Sequence, residues 1–257
     1  MKKIFRDLLT SGRKFVGTIL QYYSPEIIEI IAAAGYDYII IDNEHSCATY
    51  EQTLNMLRTA DSVGLPAMIR IPEITEDKIK KALDMGFSAI RIPTVSTVEE
   101  AKEIIRFAKF PPEGERGACP FVRANYYGAG GNKDYYTRAN RDLVVAINIE
   151  GPEGIKNMEE IIALDGIDII NVGRVDLSVS LGVPGQVTHP MVEKVIRDVS
   201  DLCIKYGKCS GTYIERPEQA TDYKDYQGIT HFLTKTPESI LLDAYHDFYQ
   251  KVFRSLK

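Results

Sequence analysis

Four short polar segments of the chain hold side chains that can bind a metal, grip an anion or move a proton. These segments are Asp42–His45, Arg70, Asn148–Glu150 and Gly173–Asp176. Glu150 and Asp176 offer carboxylate oxygens, which suit Mg²⁺ or Mn²⁺ better than Zn²⁺ because the segments contain no cysteine and a single histidine, His45. Each carboxylate could instead cap a helix, and spacing alone leaves metal binding and capping equally open.

Arg70, His45 and Lys235 carry the other chemical hypotheses. Arg70 ends an apolar run, and its planar guanidinium can grip a carboxylate or an oxyanion, although a surface ion pair explains it too. An imidazole exchanges a proton near neutral pH, so His45 is a candidate general base, with a solvated loop histidine as the alternative. A Schiff-base lysine needs a desolvated strand end, and Lys235 is the candidate there unless it simply opens the last helix.

Eight apolar runs that alternate with helical patterns must position these residues. Most are apolar throughout, as in parallel strands buried on both faces. A doubly wound open sheet fits the alternation, but eight βα units in about 250 residues match a (β/α)₈ or TIM barrel of class α/β, which is the fold we predict. The carboxyl ends of its strands converge on one rim and would bring the four segments together. The predicted strands are Phe15–Leu20, Asp37–Asp42, Pro66–Arg70, Ala89–Ile92, Leu143–Ile149, Gly166–Asn171, Cys209–Thr212 and Ile229–Thr234.

A helix is predicted after each strand, and residues with special backbone preferences mark the helix ends. Ser24, followed by a proline, predicts an N-cap, and Gly86 predicts a left-handed C-terminal residue. The seventh of these helices is predicted at Arg216–Tyr226. The connection Pro111–Tyr136 is too long for a plain turn, so we expect a functional loop. No linker divides the chain, which predicts a single domain over residues 1–257.

Composition excludes several classes of partner. The chain has 31 Lys and Arg against 36 Asp and Glu, and its net charge of −5 repels nucleic acid. Its apolar stretches fall far short of the ~20 residues that span a bilayer, so no membrane partner is expected. The four cysteines form neither a C-x-x-C pair nor a dense disulfide pattern, which predicts reduced thiols and a cytoplasmic location.

Several motifs, in register from about Phe15 to Gly211, resemble the HpcH/HpaI aldolases. These are class II pyruvate aldolases on a (β/α)₈ barrel that depend on a divalent metal. The resemblance implies an enzyme that reversibly cleaves a 4-hydroxy-2-oxo acid to pyruvate and an aldehyde through a metal-bound pyruvate enolate. The motifs are Gly17-Thr18, Ser24-Pro25, Asp42-x-Glu44-His45, Arg70, Ala82-Leu83-Asp84-x-Gly86, Pro111-Pro112-x-Gly114-x-Arg116-Gly117, Ile149-Glu150 and Asp176-Leu177-Ser178.

The resemblance also implies which residues bind the metal and pyruvate. Glu150 and Asp176 would ligate Mg²⁺ or Mn²⁺, with Co²⁺ as a further candidate. Arg70 would stabilise the enolate oxygen, and the backbone amide of Val175 would bind the pyruvate carboxylate. Asn148 stands where the family usually has a glutamine, so a substrate hydrogen bond is lost or re-aimed there.

The resemblance further implies a proton-transfer residue and an assembly. His45 would take the proton of the aldol hydroxyl through a water, and Asp84, supplied by a neighbouring subunit, would raise its basicity. A homo-oligomer is expected, either a trimer or a hexamer built as a trimer of dimers. The C-terminal segment Pro237–Lys257 is long enough to be exchanged between subunits.

One departure from the family and two competing functions remain. Arg174 stands where the family commonly has a proline, and the added cation suggests an acidic or phosphorylated co-substrate unless it faces solvent. The first alternative function is a citrate-lyase-like or citramalyl-CoA lyase enzyme, although no basic cluster for the CoA phosphates is present. The second is a non-catalytic barrel that binds a small oxo acid.

Overall fold

Eight parallel strands close into a barrel, which confirms the predicted fold. The computed structural model describes residues 4–131 and 133–256. Lys257, the last residue of the segment predicted to be exchanged, therefore lies outside the described residues. Neighbouring strands pair in chain order, and the first strand pairs with the eighth to close the ring. The strands are β1 (Phe15–Leu20), β2 (Tyr38–Asp42), β3 (Ala67–Arg70), β4 (Ala89–Ile92), β5 (Val144–Ile149), β6 (Ile169–Val172), β7 (Cys209–Tyr213) and β8 (Ile229–Leu233).

Helices follow the strands and cover the outside of the barrel. Three helices stand outside the simple alternation, one before β1, one before β5 and a short one directly after β6. Within the described residues, no helix has both the length and the apolar character to cross a membrane. The helices are α1 (Phe5–Leu9), α2 (Pro25–Ala33), α3 (Tyr50–Ser62), α4 (Glu76–Met85), α5 (Val98–Ala108), α6 (Tyr135–Asp142), α7 (Pro152–Ile162), α8 (Arg174–Ser180), α9 (Pro190–Tyr206), α10 (Gln219–Asp222) and α11 (Pro237–Ser255), with a 3₁₀ turn at Arg123–Gly128.

The helix predicted at Arg216–Tyr226 is wrong in extent, since only Gln219–Asp222 is helical. Beyond Asp222 the chain turns by i→i+3 bonds, in which the carbonyl oxygens of Tyr223 and Tyr226 accept from the amides of Tyr226 and Ile229 at 3.2 Å. The same two carbonyls accept from Lys14 Nζ at 3.1 and 2.7 Å. This segment is therefore a series of turns bound to the residue that precedes β1.

Apolar side chains fill the N-terminal half of the barrel interior. The Phe5 ring of α1 packs edge-on against Phe15 and Tyr38, with centroids 6.1 and 5.1 Å apart. His231 stacks on Phe15 at 5.2 Å and is 3% exposed, and this burial lowers its pKa to about 3. The imidazole is therefore neutral at physiological pH.

The outer faces of the strands pack against the helices. Every residue of β2, β4 and β5 is buried, which explains why these strands are mostly apolar, with one polar residue each in Asp42, Arg91 and Asn148. Each fully buried isoleucine contributes about 1.5–3 kcal/mol of transfer free energy. A shift of one residue in register would exchange the inner and outer side chains, so this burial fixes which residues face inward.

Local signals place the loops where the sequence predicts them. The Ser24 hydroxyl accepts from the amide of Ile27 at 3.3 Å and caps α2. Gly86 ends α4 at φ +102°, a left-handed conformation that costs glycine little. These two residues therefore mark the start of α2 and the end of α4.

Candidate active site

A cavity of about 150 Å³ opens at the C-terminal end of the barrel. The βα loops that surround this end carry the active sites of such barrels. The structure brings Arg70, Asn148, Glu150, Val175 and Asp176 together around it. The other lining residues are Arg91, Asn171, Val172, Gly173, Arg174, Gly211, Thr212, Tyr213 and Leu233.

The guanidinium of Arg70 is held by the turn that follows β2. Its Nε and Nη2 donate to the two oxygens of Asp42 at 2.8 and 2.7 Å, and Asp42 is fully buried. Burial opposes ionisation of Asp42, but the hydrogen bonds and charge of Arg70 outweigh it and lower the pKa of that carboxyl. Arg70 is thus a fixed cation at the cavity, not the exposed ion pair considered from the sequence.

Glu44 adds a second carboxylate beside Arg70. Its Oε2 lies 3.0 Å from Arg70 Nη1, whose N–H is not directed at it, and 3.7 Å from His45 Nε2, which is too far for a hydrogen bond. Burial raises the pKa of Glu44, while the charges of Arg70 and His45 act in the opposite direction. This buried oxygen keeps its capacity to accept from a further donor.

Glu150 is held rigidly at the end of β5. Its Oε2 accepts from the backbone amide and the hydroxyl of Thr94 at 3.1 and 2.9 Å, and its Oε1 accepts from Asn148 Nδ2 at 2.6 Å. The side chain lies against Gly173, where a Cβ would come within 2.1 Å of Oε1. Both lone pairs of Oε2 are engaged by Thr94, while Oε1 retains one that can meet a ligand in the cavity.

The backbone of Thr94 is strained at the point where it holds Glu150. Its φ of +53° is in the left-handed region, which a β-branched residue rarely occupies. Such strain persists only where the surroundings over-determine it, and it concentrates at functional sites. Both donors of Thr94 serve the Glu150 carboxylate, so the strain is coupled to the position of that group.

Asp176 and Val175 lie in the first turn of α8, on the same cavity as Glu150. The carboxylate of Asp176 is exposed and makes no hydrogen bond or ion pair within residues 4–131 and 133–256. No side chain caps α8, and none caps α7, the helix that follows Glu150. The capping alternative is therefore wrong for both carboxylates.

The residues around the cavity fit a hard divalent cation with few protein ligands. Within the described chain, no group of three or more His, Cys, Asp or Glu side chains converges to hold a metal. Mg²⁺ typically uses one or two carboxylates and fills its other positions with water and substrate oxygens. Five carboxylates and three guanidiniums line the cavity or pair with its lining, which leaves a formal charge of −2 for a divalent ion to balance. They are Asp42, Glu44, Glu150, Asp176 and Glu193, and Arg70, Arg91 and Arg174.

His45 stands at the rim of the barrel. Its side chain is 60% exposed, and its backbone amide donates to Asp42 Oδ2 at 3.3 Å. The turn that fixes Arg70 therefore also fixes the start of the His45 side chain. An exposed imidazole at this position is accessible to water and to a ligand at the rim.

Asp84 lies at the opposite end of the barrel. It is close to the C-terminal end of α4, and its Oδ1 accepts from Arg116 Nη2 at 2.7 Å. Arg116 belongs to the connection Pro111–Tyr136, which lines a separate cavity beside the starts of β4 and β5. Asp84 and the described part of this connection therefore lie at the end of the subunit away from His45, so the effect of Asp84 on His45 requires a neighbouring subunit and stays a prediction.

The interpretation of Arg174 as a cation for an acidic co-substrate is wrong, and so is the solvent-facing alternative. Arg174 is 4% exposed and donates to Thr212 Oγ1 at 3.0 Å, to the Val187 carbonyl at 2.9 Å, to Glu193 Oε1 at 2.6 Å and to the Tyr223 hydroxyl. Glu193 neutralises its charge. Arg174 thus ties the start of α8 to β7 and α9.

Lys235 is unsuited to imine chemistry. Its Nζ pairs with Asp243 Oδ2 of α11 at 2.8 Å, and this hydrogen bond and charge raise the pKa of the ammonium. A Schiff-base lysine must lose its proton near neutral pH, so the shift has the wrong sign.

Arg91 is a cavity residue that sequence reasoning missed. It lies inside β4, in register with Arg70 of β3, and its Nε donates to Asn148 Oδ1 at 2.7 Å. Asn148 therefore links Arg91 to Glu150 through its own amide, so its hydrogen bonds are re-aimed within the protein. The available signal was a lone charge in a four-residue strand that is otherwise apolar.

Comparisons with known proteins agree on one family. The model of the HpcH/HpaI aldolase/citrate lyase family matches residues 17–220. The hydroxypyruvate/pyruvate aldolase of Sagittula stellata is 34% identical over 197 residues, 77% of each chain. The 5-keto-4-deoxy-D-glucarate aldolase of Shigella boydii is 30% identical over 222 residues, 86% of each chain. The crystal structure of an HpcH/HpaI aldolase from Desulfitobacterium hafniense superposes with a TM-score of 0.90 at 27% identity, covering 97% of this chain and 96% of the other.

Proposed function

The chain belongs to the HpcH/HpaI aldolase/citrate lyase family, and on that premise we propose that it is a class II, divalent-metal-dependent aldolase that reversibly cleaves a 4-hydroxy-2-oxo acid to pyruvate and an aldehyde. Its relatives are named as aldolases, so the chain is a lyase. The observation that carries the finer proposal is the single cavity shared by Arg70, Glu150 and Asp176.

Glu150 and Asp176 hold the metal in this proposal, with Mg²⁺ or Mn²⁺ preferred and Co²⁺ as a further candidate. The rigid carboxylate of Glu150 and the exposed carboxylate of Asp176 both border the cavity, and the local charge of −2 supports a divalent ion. When bound, the ion supplies Lewis-acid chemistry, because it withdraws negative charge from the oxygens of a 2-oxo acid.

Arg70 and Val175 orient the oxo acid. Arg70 stabilises the charge that develops on the keto oxygen, and its guanidinium needs no reorganisation because Asp42 already fixes it. The amide of Val175 binds the substrate carboxylate, since amides in the first turn of a helix have no intrahelical partner. The substrate is thereby gripped from β3 and from the start of α8.

His45 moves the proton. During cleavage it takes the proton of the C4 hydroxyl through a water, the oxygen forms the aldehyde double bond and the C3–C4 bond breaks. The released electron pair forms the C2–C3 double bond of the enolate, whose charge rests on the oxygen beside Arg70. A proton delivered to C3 then yields pyruvate. The exposure of His45 at the rim supports this role, because the aldehyde must leave from that side.

We further propose a homo-oligomer, either a trimer or a hexamer of three dimers, in which subunits exchange α11. In that helix only Pro237 is buried, and an apolar surface of this kind marks an interaction site. A neighbouring subunit would also supply Asp84 to His45. The exposed apolar residues are Ile240, Leu241, Leu242, Tyr245, Phe248, Tyr249, Val252 and Phe253 in the helix and Leu256 directly after it.

Three statements about the whole chain stay predictions. These are the single domain over residues 1–257, the cytoplasmic location, and the lack of nucleic-acid and membrane partners. The four cysteines, Cys47, Cys119, Cys203 and Cys209, are free in the structure.

Exchange of the methyl protons of pyruvate tests the proposed function without knowledge of the aldehyde. Because enolisation precedes carbon–carbon bond formation, protein loaded with Mg²⁺ or Mn²⁺ is expected to exchange these protons for deuterium, followed by NMR. EDTA should stop the exchange and added metal should restore it. Exchange at the full rate after EDTA treatment would rule out the metal mechanism.

Pyruvate binding and substrate cleavage, measured beside the exchange, separate the two alternatives. Metal-dependent binding of pyruvate without exchange would indicate a non-catalytic oxo-acid barrel. The description of the family also includes citrate lyase. An enzyme of that kind, or a citramalyl-CoA lyase, would cleave its own substrate and leave 4-hydroxy-2-oxo acids intact.

A further inference from the structure

The cavity contains a guanidinium that the proposed chemistry does not use. Arg91 is 7% exposed and lines the cavity together with Arg70 and Glu150. Its Nε is occupied by Asn148 Oδ1 at 2.7 Å. Its two terminal nitrogens make no hydrogen bond or ion pair with any residue in the ranges 4–131 and 133–256.

Among the described residues, Arg91 is the lining guanidinium that lacks a carboxylate partner. Arg70 pairs with Asp42, and Arg174 pairs with Glu193. Burial and the charge of Arg70 lower the pKa of Arg91 to about 10, so it stays protonated at neutral pH. A buried charge without a partner is costly, and the cost is recovered when a ligand brings the opposite charge.

The strand order indicates which part of the substrate reaches Arg91. Glu150 follows β5, Val175 and Asp176 follow β6, and Arg91 is on β4. In the proposed function the first carboxylate of the oxo acid binds on the β6 side of Glu150. Arg91 lies on the other side, next to Arg70, so the carbons beyond the keto group approach it.

We propose that Arg91 binds a second anionic group, carried on carbon 3 of the oxo acid, and that the site takes a 2-oxo diacid in preference to pyruvate. This inference rests on the proposed function and names the class of oxo acid that the site handles. A charge-assisted hydrogen bond from a buried guanidinium changes affinity roughly ten- to hundredfold.

Malate and its 4-amide are the probes that isolate this charge. The two acids have nearly the same size and both chelate a metal through the C1 carboxylate and the C2 oxygen, but malate has a carboxylate on carbon 3 where its 4-amide has an uncharged group. Calorimetry on Mn²⁺-loaded protein measures both dissociation constants for the native chain, Arg91→Met and Arg91→Lys. We expect Arg91→Met to weaken malate binding roughly ten- to hundredfold and to leave binding of the 4-amide nearly unchanged, and Arg91→Lys to retain part of the difference.

Two outcomes overturn the proposal. Equal weakening of both acids in Arg91→Met would mean that Arg91 binds the carboxylate they share. Loss of affinity for Mn²⁺ alone in both variants would mean that Arg91 acts only through Asn148 on Glu150. Failure of the proposed function looks different, because the native chain would then show neither metal-dependent methyl exchange nor metal-dependent binding of either acid.

Discussion

The Arg70 guanidinium and the Asp42 carboxylate form a buried, two-pronged ion pair with N–O distances of 2.8 and 2.7 Å. The two residues are register partners at the ends of β2 and β3. Two parallel hydrogen bonds fix the plane of a guanidinium as well as its position. The orientation of the cation at the cavity therefore depends on a residue that does not line the cavity.

Asp42→Asn is expected to impair both stability and catalysis. The NH₂ group of asparagine would face an N–H of Arg70 and could not accept from it. Removing one partner of a buried ion pair costs about 3–5 kcal/mol. We expect the free energy of unfolding, measured with denaturant, to fall by an amount in this range and methyl exchange of pyruvate to slow with it. Asp77→Asn removes a carboxylate that bonds Lys81 at the same 2.7 Å on an exposed helix face, and should change neither quantity appreciably. Similar results for both variants would show that neither stability nor methyl exchange depends on the pairing of Arg70 with Asp42.

Thr94→Val tests whether the strained turn after β4 sets the metal affinity. The change keeps the branched shape and the backbone bond to Glu150 but removes the 2.9 Å hydroxyl bond. Loss of such a supporting bond typically costs about 10–100-fold in metal affinity. We expect the Mn²⁺ dissociation constant, measured by calorimetry, to rise within this range.

Thr59→Val is the matched control for that substitution. Its hydroxyl donates to the Asn55 carbonyl at 3.1 Å on α3, outside the residues that line the cavity. The affinity for Mn²⁺ should be unchanged. If Thr94→Val also leaves it unchanged, Glu150 is positioned without the hydroxyl.

The fold could be predicted because its signal is local and repeated. Parallel strands buried on both faces are mostly apolar, and β1 and β4 have the predicted bounds. The rule that barrel chemistry lies at strand ends led to Arg70, Glu150 and Asp176, which line one cavity. The position of these residues at or just after the ends of strands was enough to predict that they lie together.

The remaining parts of the site depend on partners that a single sequence does not reveal. Arg91 lies within a strand, and its meaning comes from its register with Arg70 and its bond to Asn148, 57 residues away. Arg174 looked like a free cation because Glu193 and Tyr223, which engage it, lie 19 and 49 residues further along the chain. Contacts between residues so far apart in the sequence become visible only once the strands have closed into a barrel.

His231 is expected to make stability fall in mild acid. Its pKa is about 3 in the folded chain and near ~6.5 when unfolded, so the unfolded state binds the proton. The stability from the neutral, buried ring is fully present above pH ~6.5 and is lost progressively as the pH falls toward 3, by up to about 1.4 kcal/mol per pH unit.

Unfolding in denaturant between pH 6.5 and 4.5 measures this slope above the range where carboxylates such as Asp42 titrate. His231→Gln keeps a hydrogen-bonding side chain beside Asn171 and cannot titrate, so it should flatten the slope. Arg91 adds repulsion to a protonated His231, which strengthens the expected effect. An unchanged slope in the variant would assign the acid sensitivity to other groups.

The exposed face of α11 is expected to control assembly. Leu242 and Phe248 are each 70% exposed, and charges at these positions cannot be buried between subunits. We expect Leu242→Asp with Phe248→Asp to reduce the oligomer to smaller species in sedimentation experiments. Lys251→Asp changes the charge of the same helix at an exposed polar position and should preserve the oligomer. A monomeric native chain would contradict the proposed assembly directly.

Mixing experiments test whether Asp84 serves the His45 of a neighbouring subunit. His45→Asn and Asp84→Asn should each slow cleavage of a 4-hydroxy-2-oxo acid, assayed as released pyruvate. Oligomers reassembled from both variants would contain sites that combine an intact His45 with an intact Asp84, and we expect them to recover activity that neither variant has alone.

A mixture of His45→Asn with Glu150→Gln is the control, because these two residues belong to one barrel rim and no mixed oligomer can restore them. Recovery in the first mixture and not in the second is the result that the shared site requires. In a single subunit Asp84 bonds Arg116 at the far end of the barrel. Full activity of Asp84→Asn, without any gain on mixing, would leave that contact as its only function.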